Sequence, residues 1–283
     1  MDYRFLRFPD GKEKAVTFSY DDGTRSDLRL AGRLQYYNLR CTFNLSSSWL
    51  SQKNHLTPEE IKKEILPFGH EIAVHGEMHK AEGIVRAIEG IRDVLQCRLA
   101  LEKHFGRIIR GMAYPDCGIT RFAGGMSKDR IKTYLRDLDI VYARSLGADN
   151  DSFDLPEDWL EWIPTVHHGN PDAISYAEQF VALDIQNAYT SQRGPRLFYL
   201  WGHSYEFDDN NNWPLLDAIC KRLSGHDNIW YATNMEIYEY VCAYHCLIYS
   251  ADGTIITNPT LLTVWFDYNG QLYSVLPGQT VRL

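Results

Sequence analysis

The sequence predicts an α/β fold: a distorted barrel of seven or eight strand–helix repeats with a small antiparallel β extension at the C-terminal end. Three observations carry this reading. Apolar, β-rich runs alternate with helical patterns over most of the 283 residues, which implies a parallel sheet. The number of repeats implies barrel-like closure. After about Ala243 the helical pattern stops, and short strands separated by Asp252-Gly253 and Asn269-Gly270 take over.

Lys14 to Tyr20 reads as a buried strand, and Thr24 to Tyr37 as a helix with Leu28, Ala31 and Leu34 on one face. Cys41 to Leu45 is a second strand. Thr57-Pro58-Glu59-Glu60 opens the next helix as a capping box with proline at the first helical position. Glu71 to Val74 is a short strand. Ile84, Ile88, Ile91, Leu95 and Leu99 then keep helical spacing until Gly106 stops the helix. Further strands are expected at Ile108 to Ala113, Ile140 to Arg144, Trp162 to Val166, Leu197 to Trp201 and Asn228 to Tyr231. Helices are expected around Leu215 to Leu223 and from Met235 to Cys242. The last strands are Leu247 to Tyr249, Thr254 to Ile256, Leu262 to Phe266 and Leu272 to Val275. This divides the chain into a barrel over residues 1–243 and an extension over 244–283.

The net charge of −8 and the lack of any basic run longer than Lys62-Lys63 argue against a nucleic-acid binder. No apolar run approaches a membrane span, and Met1 leads directly into Asp2-Tyr3-Arg4 without an export signal, so no membrane partner and a cytoplasmic location are expected. The six cysteines are too sparse for a disulfide framework and fit reduced thiols. Cys242, His245 and Cys246 imitate metal-ligand spacing, but without a fourth partner they read as helix packing.

Chemistry is concentrated in two places. Asp21 and Asp22 end the first barrel strand, at the end where such barrels carry their sites, and Gly23 lets the backbone turn sharply. Successive side chains of an extended chain point to opposite faces, so one carboxylate can ligate a metal while its neighbour faces a water. His75 and His79 are four apart, on one helical turn or a tight loop approximating one, and project to the same side. One carboxylate and two imidazoles leave coordination positions open on a divalent ion. Either element alone is also an ordinary turn or a pair of surface histidines.

Together these residues resemble the polysaccharide deacetylases, carbohydrate esterase family 4, the NodB-homology domain. Ser19-Tyr20-Asp21-Asp22-Gly23 is similar to the family's Thr-Phe-Asp-Asp-Gly motif, and Gly69-His70-Glu71-Ile72 followed by His75 and His79 to its histidine motif. Ala113-Tyr114-Pro115-Asp116-Cys117-Gly118 resembles the third, proline-containing motif, and Leu200-Trp201-Gly202-His203 the late histidine motif. Order and spacing match from about residue 14 to 240. The family fold is a distorted (β/α) barrel. The resemblance implies Asp21 as catalytic base, Asp22, His75 and His79 as metal ligands, the backbone N–H of Asp116 after Pro115 as oxyanion donor, and His203 as general acid. It also implies an arginine paired to the base: Arg110 precedes Pro115 by five residues, and Arg144 is its rival. An Asp-Trp segment in the family tunes the acid histidine; Asp158-Trp159 is similar, with Asp154 as the alternative.

Tyr114, Trp159 and Trp201 are the aromatics expected to face substrate, since flat rings stack on sugars; Trp162 reads as core. His167-His168 is a second polar pair. The expected activity is metal-dependent removal of N- or O-linked acetyl groups from a carbohydrate. Zinc is the first choice of cofactor, and other first-row ions suit the same ligands. The alternatives are a hydrolase of a small non-sugar amide on the same scaffold and a carbohydrate-binding protein without catalysis. The extension is a candidate binding module or dimer contact.

Overall fold

The computed structural model describes residues 3–146 and 150–283. A short strand, β1 (Arg4–Arg7), precedes the alternating series β2 (Lys14–Asp21), α1 (Ser26–Tyr36), β3 (Cys41–Leu45), α2 (Pro58–Glu64), β4 (Glu71–Val74), α3 (Ala87–Phe105), β5 (Gly111–Ala113), α4 (Lys128–Asp137) and β6 (Tyr142–Arg144). It continues through β7 (Val166–His167), α5 (Ala173–Ala182), β8 (Arg196–Gly202), α6 (Tyr205–Asp209), α7 (Trp213–Leu223), β9 (Ile229–Tyr231) and α8 (Asn234–His245). The parallel sheet runs β6-β5-β4-β3-β2-β8-β7. β9 pairs with the first half of β2, from Lys14↔Ile229 to Val16↔Tyr231, and β3 takes its second half, from Phe18↔Cys41 to Asp21↔Asn44. This is the barrel that the strand–helix alternation predicts, distorted as the family resemblance implies.

Two local signals behave as read. The Thr57 side chain and Glu60 form the capping box of α2, and Gly106 ends α3 in the left-handed region. The expected strand at Trp162 to Val166 is shorter. Only Val166 and His167 pair with β8, and Trp162 makes a single parallel bridge to Arg144. Pro164 has no N–H to give a ladder, so the strand breaks there. This interrupted segment nevertheless joins the two edges of the sheet: Trp162 N–H donates to Ala143 O (3.0 Å) and Ser145 N–H to Trp162 O (2.9 Å).

The period-2 alternation of the strands sorts the barrel into two environments. Val16, Phe18, Tyr20, Phe43, Leu45, Val74, Met112, Phe198 and Leu200 point outward into one apolar cluster with the helices. Thr17, Ser19, Thr42, Asn44 and Tyr199 lie on the opposite face and are tied to one another. Thr17 Oγ1 donates to Asn234 Oδ1 (2.9 Å), Asn234 Nδ2 to Tyr199 Oη (2.6 Å) and Asn44 Nδ2 to Ser19 Oγ (2.8 Å). Asn234 is fully buried at the start of α8 and plugs the lower end of this interior. Lys14, buried at the foot of β2, donates through Nζ to Val181 O (2.7 Å) at the last turn of α5, where a cation suits the helix dipole.

Beyond α8 lie β10 (Ile248–Tyr249), β11 (Ile255–Thr257), β12 (Val264–Tyr268), β13 (Gln271–Val275) and β14 (Thr280–Arg282). They form two three-stranded antiparallel sheets, β10-β11-β14 and β1-β12-β13. Asn269 and Gly270, both at positive φ, make the two-residue turn between β12 and β13. The expected division at residues 243 and 244 needs correction at both ends: α8 runs to His245, and β1 pairs with β12 (Arg4↔Tyr268 to Arg7↔Trp265). The phenol of Tyr240 staples the two parts, donating to Arg7 O (2.9 Å) and accepting from Trp265 N–H (2.9 Å).

Trp162 is 1% exposed and makes edge contacts with Trp159 (4.8 Å), Tyr199 (4.9 Å) and Tyr142 (5.5 Å), as its core reading requires. Trp162→Ala should cost about 3–5 kcal/mol in equilibrium denaturation, the range for deleting a large buried aromatic. A loss below about 1 kcal/mol would show that the barrel seam does not depend on it.

Candidate active site

Asp21 is the last residue of β2 and is 2% exposed. It follows Thr17 and Ser19 on the inward face and receives Asn44 Nδ2 on Oδ1 (2.8 Å) and the Arg144 guanidinium on Oδ2. Burial disfavours its charge. Arg144, His75, His203 and the Asn44 hydrogen bond outweigh burial and hold the carboxyl below its ordinary range. Asp22 then takes a left-handed conformation (φ 80°), which re-aims the chain so that both carboxylates reach one side despite being adjacent.

His75 follows β4 and is 1% exposed. Its Nδ1 lies 2.9 Å from Ala113 O. A carbonyl only accepts, so Nδ1 carries the proton and Nε2 keeps a free lone pair. That Nε2 is 3.6 Å from Asp22 Oδ1, and His79 Nε2 is 3.5 Å from the same oxygen. Burial lowers the pKa of His75 despite the pull of Asp21 and Asp22 and keeps the ring neutral, as ligation needs. His75 and His79 are not on a helical turn. Gly76 (φ 75°) and His79 (φ 53°) fold residues 75–79 into a loop. Asp93 on α3 holds that loop: its Oδ1 accepts from Met78 N–H (2.8 Å), its carbonyl from Glu77 N–H (3.0 Å), and a Cβ at Gly76 would strike its other oxygen. Trp49 stacks on His79 (4.8 Å) from the outer side.

The ligand atoms of Asp22, His75 and His79 all lie within 4.8 Å of one another. Asp22 Oδ1 is buried with no hydrogen-bond partner, a costly state that a cation would relieve. One carboxylate oxygen and two imidazole nitrogens, with the lone pair of His75 Nε2 free, suit a first-row divalent ion. The donor set therefore fits such a metal. His203, after β8, directs Nε2 to 3.9 Å from Asp21 Oδ2.

The other expected residues divide. Arg144, not Arg110, pairs with Asp21. Arg110 sits before β5, at the opposite end of the strands, and Nη2 donates to Asp139 (2.8 Å). Strand direction decides this, because Arg144 ends β6 whereas Arg110 precedes β5. Tyr114 is 2% exposed and donates to Leu160 O (2.8 Å), so it is core rather than a substrate contact. Trp159 is half-buried and packs edge-on against Trp162 (4.8 Å) and Tyr238 (5.2 Å). Asp158 binds Lys132 (2.8 Å) and Asp154 binds Arg196 (2.5 Å); neither reaches His203. Pro115 is buried, and Asp116 is exposed in a turn at φ 49°. Trp201 lies beside the site, its ring 4.4 Å from the Arg144 guanidinium and 6.0 Å from His203.

Asn44, Asp93, Trp49 and Glu206 are absent from the sequence reading. Asn44 is a lone amide in an apolar strand, and Asp93 a carboxylate on the buried face of α3; both patterns signal a partnered polar group. Glu206 lies three residues after His203, close enough to share a turn.

The model of the polysaccharide deacetylase family matches residues 9–141, which contain Asp21, Asp22, His75, His79 and Pro115. Over that span the chain is similar to the polysaccharide deacetylases. The chain resembles the solved structure of a protein described as a polysaccharide deacetylase from Mycobacterium smegmatis, with TM-score 0.59, 19% identity and coverage of 85% of this chain and 94% of that one. It also resembles PuuE allantoinase (TM-score 0.60, 12% identity, 84% and 93% coverage) and a family 4 carbohydrate esterase from Streptomyces lividans in complex with acetate (0.50, 13%, 77% and 92%). At these identities the likeness is one of fold. None of the curated proteins compared with the chain matches it in sequence. No helix among the described residues is long and apolar enough to cross a membrane.

Replacing Arg144 with Met leaves Asp21 buried without its counter-charge, which should cost about 3–5 kcal/mol near neutral pH. In the wild type the lowered pKa of Asp21 contributes stability above the unfolded carboxylate pKa and loses it as pH falls through the folded value. In Arg144→Met the carboxyl stays neutral instead, so the stability gap should narrow toward about pH 4. Denaturation at both pH values measures this; an equal gap would mean that Asp21 does not rely on Arg144 for its charge.

Proposed function

We propose that the chain is a metal-dependent deacetylase that removes an N- or O-linked acetyl group from a carbohydrate and releases acetate. The observation that carries the reading is the convergence of Asp22, His75 and His79 around one unpartnered carboxylate oxygen, with Asp21 and His203 beside them. The family match and the acetate-bound esterase of the same fold support the acyl chemistry.

Asp22, His75 and His79 would hold the ion, zinc being the first choice. When bound, such an ion polarises a carbonyl and lowers the pKa of water. Asp21, kept ionised by Arg144 and oriented by Asn44, takes the proton from the attacking water. Its low pKa makes it a weak base, so its contribution is one of position more than of strength. The backbone N–H of Asp116 is the protein donor for the oxyanion that develops on the acyl carbon. His203 gives a proton to the departing nitrogen or oxygen of the sugar. Its acid form is favoured: burial opposes the charge, but the Glu206 hydrogen bond and the charges of Asp21 and Asp22 raise its pKa.

His79→Ala and Asp22→Ala should each lose bound metal, read by elemental analysis, together with acetate release. Asp21→Asn should keep the metal and lose about 10²–10⁴-fold in turnover. Full metal content and activity in His79→Ala would remove it from the ligand set. Substrate class is read by comparing acetate release from acetylated chito- and xylo-oligosaccharides with ammonia release from small amides. Ammonia release alone would replace the carbohydrate reading with the amide one.

A further inference from the structure

A second cluster of ligand-type groups lies on the other side of His203. Glu206, on the first turn of α6, accepts from three imidazoles. His203 Nδ1 is 3.0 Å from Oε1, while His168 Nε2 (2.9 Å) and His167 Nε2 (3.2 Å) meet Oε2. His167, His203 and Glu206 are close enough to hold a metal ion, with all ligand atoms within 4.8 Å. The hydrogen bonds argue against that occupant. Gly169 N–H donates to His167 Nδ1 (3.1 Å), which uses the only lone pair of a neutral ring. His167 therefore carries its proton on Nε2, the nitrogen that faces Glu206 and would have to bind the ion. The carboxylate, which only accepts, meets an N–H there.

We propose that Glu206 is a positioning residue that fixes His203 with its proton on Nδ1 and its Nε2 aimed at Asp21, and that His167 and His168 hold Glu206 as N–H donors rather than sharing a metal ion with it. The fold places these groups together. β7 runs beside β8, with His167 opposite Trp201 and His168 N–H on Trp201 O (2.9 Å), so both rings flank His203 two residues later. His168 is 3% exposed on its side chain and sandwiched between Tyr20 (5.6 Å) and Phe207 (4.1 Å), where its ring is immobile; a Cβ at Gly202 would strike it. Burial opposes the charge on Glu206, but the three imidazole bonds keep its carboxyl well below the ordinary range.

His203 also faces Asp21 and Asp22 at the end of β2, Asp27 on α1, His167 and His168 at the end of β7, and Tyr205 at the start of α6. Asp21 is committed to Arg144, Asp22 belongs to the ligand set, and burial raises the pKa of Asp27 well above its ordinary value. Glu206 is the anion in direct hydrogen-bond contact with His203.

The acid role of His203 rests on the function proposed above; its tautomer and titration do not. The test is ¹⁵N-histidine NMR of the full-length protein, joined to pH profiles of kcat/KM and a count of bound zinc. In the wild type, neutral His203 should be the Nδ1–H tautomer and neutral His167 the Nε2–H tautomer, a measurement that needs no variant to fold. Glu206→Gln should lower the His203 pKa by about one unit or more and move the alkaline limb of kcat/KM down by the same amount, with Glu206→Asp restoring part of the shift. A neutral His203 protonated on Nε2, an unmoved pKa in Glu206→Gln, or a second zinc equivalent lost in His167→Ala overturns the inference. The expected tautomers and pKa shift with an unmoved rate profile uphold Glu206 as the positioning group and overturn instead the assignment of His203 as the acid.

Discussion

The pair formed by Asp21 and Arg144 sets the chemistry of this barrel. Both side chains are almost fully buried, so neither charge is tolerable alone. Their meeting requires β2 and β6 to stand across the ring from each other with their C-terminal ends level. It also requires the period-2 alternation to bring both residues to the inward face. A one-residue slip in either strand would turn a charge into the apolar layer under the helices. The ion pair therefore depends on the register of the barrel, and it presents a carboxylate that is ionised and fixed in place.

From that point the interior reads as graded layers. Below Asp21, hydrogen bonds link Asn44 to Ser19, Thr17 to Asn234 and Asn234 to Tyr199, and Glu71 accepts from Thr42 (2.8 Å), Tyr142 (2.5 Å) and Met235 N–H (2.9 Å). A polar interior of this kind is stable only when it is fully connected. Above Asp21 the groups are left open on one side: Asp22 Oδ1 lacks a partner, His75 keeps a free Nε2, and His203 aims Nε2 inward. The contrast between a densely hydrogen-bonded base and a rim whose Asp22 oxygen and imidazole nitrogens face one another separates the structural part of the barrel from the part available to a ligand.

The rim is assembled from loops that are individually held. Asp93 and Trp49 clamp the His79 loop from beneath and outside, Asn44 and Arg144 clamp Asp21, and Glu206 with its imidazoles clamps His203. Each clamp comes from an element other than the one that carries the residue it orients, apart from Glu206, which shares a turn with its histidine. Such preorganisation keeps reactive groups from relaxing into mutual hydrogen bonds that would cancel their function.

The residue pattern alone indicated most of the alternating strands and helices from β2 to α8, the capping of α2, the Asn269-Gly270 turn, and the two pairs Asp21-Asp22 and His75/His79. These depend on periodicity, local hydrogen bonding and spacing, which lie within a short stretch of chain. Tertiary structure decided the rest. Arg144 rather than Arg110 meets Asp21, because strand direction, not proximity to Pro115, fixes which end of the barrel a residue reaches. Tyr114 is core, because burial is set by neighbours distant in sequence. Pro164 interrupts the expected strand, which begins only at Val166, yet the seam still closes through Trp162. β1 joins the C-terminal sheet across more than 250 residues of chain, a pairing that no local pattern encodes. Contacts between remote segments depend on how the elements pack, and that packing is a property of the whole chain.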